Sequence, residues 1–488
     1  MTLFELLKNV PHEVVQGADV AIKHLSIDSR NIRLGTLFLC LTGFRVDGHT
    51  YIEEAKSQGT VAIVIEKDLD QMSVAEGLTV IRVANTRHAM AYIAAEFYGN
   101  PQKGLKLMGV TGTNGKTSVS FYMQAVLMAA GLSTGIIGTV DTKLNHTPVT
   151  IDFATSTTPD TIELMQIIHH MKKKGADAIA MEVTSHALAL HKVEALPFEV
   201  AIFTNLTQDH LDLHGTMENY RDAKAKLYTM SKASVINMDD PYGSHMASVA
   251  TGKVMGYAID QPSDLQATEV VYRPDGVSFN VTIEGRVYPF ELPIAGKFSV
   301  YNALGVMGAA LLIGIAPQII QQAFKTLAVV PGRIERVAND KGLNVIVDYA
   351  HTPDGLTNII AAVREFTKGR VITVFGCGGD RDKDKRAKMG AISDAGSDIT
   401  IITSDNPRSE EPLAILADIE AGITSHRYVK IEDRQVAIKT AIEEMTQDDT
   451  VIIAGKGHEN YQIFKDQTIP FDDRVVAKTI IGELHGEA

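Results

Sequence analysis

Apolar residues fall in short runs separated by amphipathic stretches, and the rhythm changes twice along the chain. In residues 1–100, runs at 36–41 and 60–65 alternate with helix-like stretches, the last over 89–98. Asn100-Pro101 then breaks the pattern. Residues 101–330 open with a strand-like run at 105–110, a glycine-bearing turn and an amphipathic helix over 117–130. An apolar strand over 176–183, a long mixed segment to 295 and a small-residue helix over 302–312 follow, and Val330-Pro331-Gly332 marks the next junction. In residues 331–488, runs at 344–347, 371–375, 399–403 and 451–454 alternate regularly with helical patterns. That alternation predicts a mostly parallel sheet covered on both faces, with ligands at the carboxyl ends of its strands. His351, Asp380-Arg381, Asp405-Asn406-Pro407-Arg408 and Gly455-Lys456-Gly457-His458-Glu459 each follow one of those four strands. The pattern predicts an α/β protein of three domains.

A length of 488 residues agrees with three domains at roughly 150 residues each. The 45% hydrophobic and 22% charged content is that of a globular chain with a core to bury. A net charge of −13 argues against a nucleic-acid partner, whose binding footprint is usually basic. Cys40 and Cys377 lie too far apart for a zinc ligand set or a disulfide framework, which fits a reducing cytoplasm. The opening segment MTLFELLKNVPHEVV has no apolar secretion core and no run reaches bilayer-spanning length, so no membrane insertion is expected.

Gly112-Thr113-Asn114-Gly115-Lys116-Thr117 follows a strand and opens a helix, the context of a phosphate-binding loop. Its glycines let backbone N–H groups approach phosphate oxygens, Lys116 supplies charge, and the Thr117 hydroxyl can hold Mg²⁺. The usual spacing would place glycine at Val110, so this is a variant, and ATP is the default nucleotide. Glu182, at the end of an apolar strand, can ligate Mg²⁺. On residue chemistry alone, Lys224 reads as a solvated helical lysine, His210 as a structural histidine, Asn302 as helix packing and Arg333 as surface charge. Ser29 reads equally as a turn former and Arg45 as a solvated side chain. Gly376-Cys377-Gly378-Gly379 invites a dehydrogenase reading, but it does not form the dinucleotide-binding glycine pattern before a helix.

The GTNGKT loop resembles that of the Mur ligase superfamily, which also includes folylpolyglutamate synthetases, and the resemblance runs the length of the chain. It implies an N-terminal UDP-substrate-binding domain over 1–100, a central P-loop ATPase domain over 101–330 and a C-terminal Rossmann-like domain over 331–488. The implied reaction is ATP-dependent amide formation through an acyl phosphate. By the same resemblance, the loop from Gly112 to Ser118, with Asn302, Arg333 and Asp348, implies an ATP site. Thr117, Glu182, His210 and a carbamylated Lys224 imply Mg²⁺ ligation. Ile27, Ser29, Phe44, Arg45, Thr157, Thr158, Thr184 and Lys192 match positions that hold UDP-N-acetylmuramoyl-L-alanyl-D-glutamate. Lys192 stands where arginine is common and gives a point-charge contact instead of a bidentate one; Thr184 replaces the commoner serine and keeps the hydroxyl.

Asp405-Asn406-Pro407-Arg408 resembles the loop with which these ligases choose the incoming amino acid, in its meso-diaminopimelate form. Arg408 can bind the carboxylate that distinguishes diaminopimelate from lysine, and the same cation disfavours lysine. Arg381, Gly455 and Glu459 join it in the implied amino-acid site. A lysine-adding ligase, a folylpolyglutamate synthetase and a non-catalytic nucleotide sensor remain alternatives, separated by amine-dependent ADP release. A monomer is the expected state.

Overall fold

A computed structural model describes residues 1–43, 46–69, 75–151, 157–273 and 276–483. Three principal sheets follow one another along the chain. In the first, Glu13–Gln16 pairs antiparallel with Thr79–Arg82, and Thr60–Ile65, Thr36–Leu39 and His24–Ser26 continue the sheet in parallel. The Thr36–Leu39 strand is buried throughout because both faces carry side-chain clusters, one around Leu37 and Val64, the other around Phe38 and Ile63. The helix expected at 89–98 spans Thr86–Phe97 instead, begun by Asn85, whose side chain accepts from the His88 N–H.

The second sheet has a parallel centre in the order Lys253–Ala258, Ser231–Asn237, Phe198–Phe203, Lys106–Thr111, Ala178–Glu182 and Thr134–Ile137. Lys106–Thr111 comes first in this block yet sits between later strands, so the loops after it, after Ala178–Glu182 and after Phe198–Phe203 open at one place. The mixed segment before 295 carries an antiparallel extension: Leu265–Arg273, Gly276–Ile283 and Arg286–Leu292. Its strands bury alternate residues, such as Val277, Phe279 and Val281, so their polar outer faces masked them among helix-like neighbours. The helix expected at 302–312 begins earlier, at Lys297; it is buried nearly all round against that sheet and shows no amphipathic start signal.

The third sheet runs Glu335–Arg336, Asn344–Asp348, Thr450–Ala454, Val371–Phe375, Ile399–Ile402, Tyr428–Lys430, all parallel after the first strand. The four expected strands are all present, and Thr450–Ala454 lies between two that precede it in sequence. Arg434, fully buried, pairs with Asp473 at 2.8 Å and donates to the Ser404 and Ala454 carbonyls, tying two of the carboxyl-end loops together. Among the described residues, no helix is long and apolar enough to cross a membrane.

Candidate active site

The phosphate-loop turn is held from behind. Gly112 (φ +153°) and Gly115 (φ +86°) both adopt backbone conformations that L side chains rarely take. A Cβ on Gly112 would lie 1.8 Å from the Thr204 Oγ1, and one on Gly115 2.6 Å from the Asn302 Oδ1. Asn205 accepts from Asn114 N–H at 2.9 Å, and Thr204 donates to the Asn114 carbonyl at 2.6 Å. The Lys116 ammonium donates to the Gly112 and Thr113 carbonyls, both at 2.9 Å; burial holds its pKa down, with Arg333 adding to the effect. Arg333 reaches the Thr117 hydroxyl at 3.3 Å and stacks over the Tyr349 ring at 4.7 Å, while its Nε is buried without a partner among the described residues. Asn302 packs into the space that Gly115 leaves open and also lines the cavity beside the loop.

Glu182, 1% exposed, accepts from the Thr139 N–H at 2.9 Å and from its hydroxyl at 3.1 Å. Thr139 and Thr157 share a 2.9 Å hydroxyl contact, and Thr158 donates to the Glu182 carbonyl, also at 2.9 Å. Thr184 accepts from the Ala187 N–H and so caps the next helix. Four threonines and one carboxylate thus form one hydroxyl-lined wall. Lys192, nearby on the same cavity, pairs with Asp160 at 2.8 Å.

Lys224 is not solvated. It is 1% exposed, donates to the Gly112 carbonyl at 2.9 Å and lies 4.7 Å over the Tyr220 ring. Burial, first, and the neighbouring Lys116 charge depress its pKa far below the usual lysine range. His210 has φ +53° and lies 3.3 Å from the Asp209 carboxylate, with its side chain half exposed.

The third-sheet loops meet this wall. Asp348 spends both carboxylate oxygens on the Ile334 and Ala350 N–H groups, positioning the segment that carries Arg333. Asn406 donates to Glu459 at 2.8 Å, and Lys456 donates to both. Gly455 (φ +116°) lets the Asp405 carboxylate approach to where its Cβ would be. Arg408 (φ +54°) donates through Nη1 to the Gly379 carbonyl at 2.8 Å. The carbonyl of buried Pro407 accepts from the Glu410 N–H and sits where a Gly379 side chain would go. Asn114 donates to Asp354 at 2.7 Å, and Lys388 donates to Gln208, so the second and third sheets are bridged directly.

Two adjoining cavities result. One, about 290 Å³, is lined by Ser118, Asn302, Asp348, Phe298 and Asp354. The other, about 520 Å³, brings Lys116, Thr117, Thr157, Thr158, Glu182, Thr184, Lys192 and His210 together with Arg381, Asp405, Asn406, Arg408, Gly455 and Glu459. Asn114, Gly115 and Arg333 face both. Half-buried Ile27 and buried Ser29 lie outside both linings, and Phe44 and Arg45 fall outside the described residues. The larger cavity also takes in Asp209, Tyr349, His351 and Lys385, to which the sequence reading assigned no role. His351 stood out as a strand-end residue, whereas Lys385 sits in a run of charges that looks like any solvated helix start.

Family models match all three sheets: "Mur ligase family, catalytic domain" over residues 21–98, "Mur ligase middle domain" over 110–310 and "Mur ligase, glutamate ligase domain" over 332–457. The chain belongs to the Mur ligase family. Among curated Mur ligases, the UDP-N-acetylmuramoyl-L-alanyl-D-glutamate–2,6-diaminopimelate ligase of Clostridium botulinum is 43% identical over 99% of this chain and 100% of its own length. The protein of that name from Halalkalibacterium halodurans is 43% identical, covering 97% of each chain. A solved structure of a UDP-N-acetylmuramoyl-L-alanyl-D-glutamate–2,6-diaminopimelate ligase aligns with TM-score 0.68 and 31% identity over 95% of both chains. The Thermotoga maritima MurF ligase in complex with ADP shares the fold at TM-score 0.62 and 19% identity, covering 89% of this chain and 94% of its own. The Mur ligase fold thus supplies the second and third sheets, whose loops build the cavity.

Proposed function

We propose that this Mur ligase joins meso-diaminopimelate to UDP-N-acetylmuramoyl-L-alanyl-D-glutamate at the expense of ATP, in peptidoglycan synthesis. The observation that carries the reading is the single cavity lined by the phosphate loop on one wall and the Asp405–Arg408 loop on the other. The relatives named for this reaction match nearly the whole chain. The smaller cavity takes the nucleoside, and Asn114, Gly115 and Arg333 sit where the phosphates pass into the larger one.

The substrate carboxylate attacks the γ-phosphorus, ADP departs, and the amine of diaminopimelate then displaces phosphate from the acyl phosphate. No protein nucleophile is required. Lys116 and the loop N–H groups offset the charge that accumulates as anions converge. The hydroxyl wall of Thr157, Thr158 and Thr184 orients the accepting carboxylate, with Lys192 supplying charge. On the N-terminal domain, Ile27, Ser29, Phe44 and Arg45 take the uridine end. Arg408 and Arg381 take the distal carboxylate of diaminopimelate, and Glu459 its ammonium.

The Thr117 hydroxyl and Glu182 carboxylate are hard oxygen donors on one cavity and suit Mg²⁺ together with ATP phosphates, although the described residues hold no ready trio of His, Cys, Asp or Glu. Mg²⁺ would neutralise phosphate charge there. Lys224 fits carbamylation: its depressed pKa keeps the amine neutral and nucleophilic toward CO₂, and the carbamate would offer an oxygen donor near His210. Two buried free cysteines and dependence on ATP fit a cytoplasmic enzyme. The test is product formation from Mg²⁺-ATP, the UDP-linked dipeptide and diaminopimelate, read by mass; ATP hydrolysis indifferent to the amine would defeat the reading.

A further inference from the structure

Five basic side chains crowd the start of the helix Asp384–Gly396, and four have partners. Arg381 donates to the Asp380 carbonyl at 2.9 Å, Lys383 pairs with Glu410 at 3.1 Å, Arg386 is bound by Glu410 and Asp418, and Lys388 reaches Gln208. Lys385 differs. It is 6% exposed, faces the larger cavity, and has no hydrogen-bond or ion-pair partner among the described residues. A buried cation left unpaired is costly unless an anion arrives to meet it. It occupies the first turn of a 13-residue helix, where backbone N–H groups also favour an anion.

Its surroundings identify which anion. Lys385 acts on the Asp209 carboxylate and the His351 ring across the cavity and on the buried Cys377 behind it, and Asp209 also acts on Lys116 and Lys224 beside the phosphate loop. Arg408, by contrast, lies among Asp380, Asp405, Glu459 and Tyr461. Lys385 therefore faces the phosphate-loop end of the cavity. We infer that Lys385 is a further catalytic residue, carried by the C-terminal domain, whose ammonium binds the phosphoryl group as it passes from nucleotide to substrate carboxylate. This rests on the ligase reading. In the step it serves, a carboxylate oxygen forms a bond to the γ-phosphorus while the bond to the β,γ-bridging oxygen breaks, and ADP leaves with that electron pair. No proton moves. Lys385 and Lys116 then hold the same phosphoryl oxygens from opposite domains, so the charge is complete only when the domains are closed, as an arginine finger completes other phosphoryl-transfer sites.

The test uses the full-length enzyme and its Lys385→Met and Lys385→Arg variants. With Lys385→Met, kcat should fall roughly 10²–10³-fold, the loss typical of one preorganised electrostatic donor, while KM for diaminopimelate stays within about threefold. Calorimetry without acceptor should show ATP affinity weakened roughly tenfold and ADP affinity within about twofold, because only ATP presents the γ-phosphate. Lys385→Arg, which keeps the charge, should recover part of kcat, and unchanged thermal midpoints in both variants exclude misfolding as the cause. Equal losses for ATP and ADP, an unchanged kcat, or a raised KM for diaminopimelate with kcat retained would each overturn the assignment. A wild-type enzyme lacking amine-dependent ADP release sinks the ligase reading, and the ATP-against-ADP comparison still decides the role of Lys385.

Discussion

Arg408→Ala should convert a selective amino-acid site into an indifferent one. Arg408 is half-buried on the cavity wall; its backbone N–H donates to the Ile463 carbonyl, and its side chain, with Nη1 committed to the Gly379 carbonyl at 2.8 Å, has no other hydrogen-bond partner among the described residues. The Nε and Nη2 edge is thus open for a bidentate carboxylate. Hydrogen bonds to charged groups contribute about 1.5–3 kcal/mol each; with partial exposure and a shared geometry, the pair contributes on the order of 2–4 kcal/mol. At roughly 1.4 kcal/mol per tenfold, that is about a 30- to 700-fold loss in kcat/KM for diaminopimelate. Lysine lacks the distal carboxylate and is repelled by the guanidinium, so its kcat/KM should hold or rise. The φ of +54° is borne by any residue with a Cβ, so Arg408→Ala adds no backbone strain, and Arg408→Gly, which relieves it, serves as the control that separates loss of the guanidinium from backbone effects. The assay is product mass with each amine in separate and competing reactions. A diaminopimelate-to-lysine ratio unchanged from wild type in both variants refutes the assignment of Arg408 as selector.

Lys116→Ala should abolish ADP release with either amine, since its ammonium is the phosphate loop's own charge, while thermal stability stays near wild type. Gly115→Ala should lower ATP affinity at least roughly tenfold, because the new Cβ would lie 2.6 Å from the Asn302 Oδ1 at a φ of +86°; calorimetry checks it. Glu410, bound by Arg386 and so held down at about 2, contributes stability that is complete above the ordinary carboxylate range and is lost as pH falls through about 2. Glu410→Gln should accordingly lower the thermal midpoint at pH 7, with the gap closing as pH approaches 2. Purified enzyme in ¹³C-bicarbonate should give a carbamate NMR signal that Lys224→Ala removes; its persistence in the variant would place the modification elsewhere.

The C-terminal sheet was legible because its strands are apolar on both faces and end in glycine-bearing polar loops, so the order of runs located both strands and site. The phosphate loop was legible for a similar reason: strand, glycines and helix are contiguous. The antiparallel extension before 295 was not, since half of each strand faces solvent and its alternation competes with helix-like spacing. Lys385 was illegible, and Lys224 was reached only through the family resemblance, for a deeper reason. Side-chain chemistry alone cannot tell a solvated lysine from one buried beside a phosphate loop, because burial depends on strands more than 100 residues away. The Asn114–Asp354 contact is likewise a product of tertiary closure, carrying no local signal in either segment.

The most direct measurement of the central claim is ADP release by the purified protein with Mg²⁺-ATP and UDP-N-acetylmuramoyl-L-alanyl-D-glutamate, run with meso-diaminopimelate, with L-lysine and with no amine, while product mass is followed. Release that depends on diaminopimelate, with a product heavier by that residue, is the predicted result. Release at the same rate without amine, or a product carrying lysine in preference, would contradict a cavity whose two walls couple nucleotide to diaminopimelate.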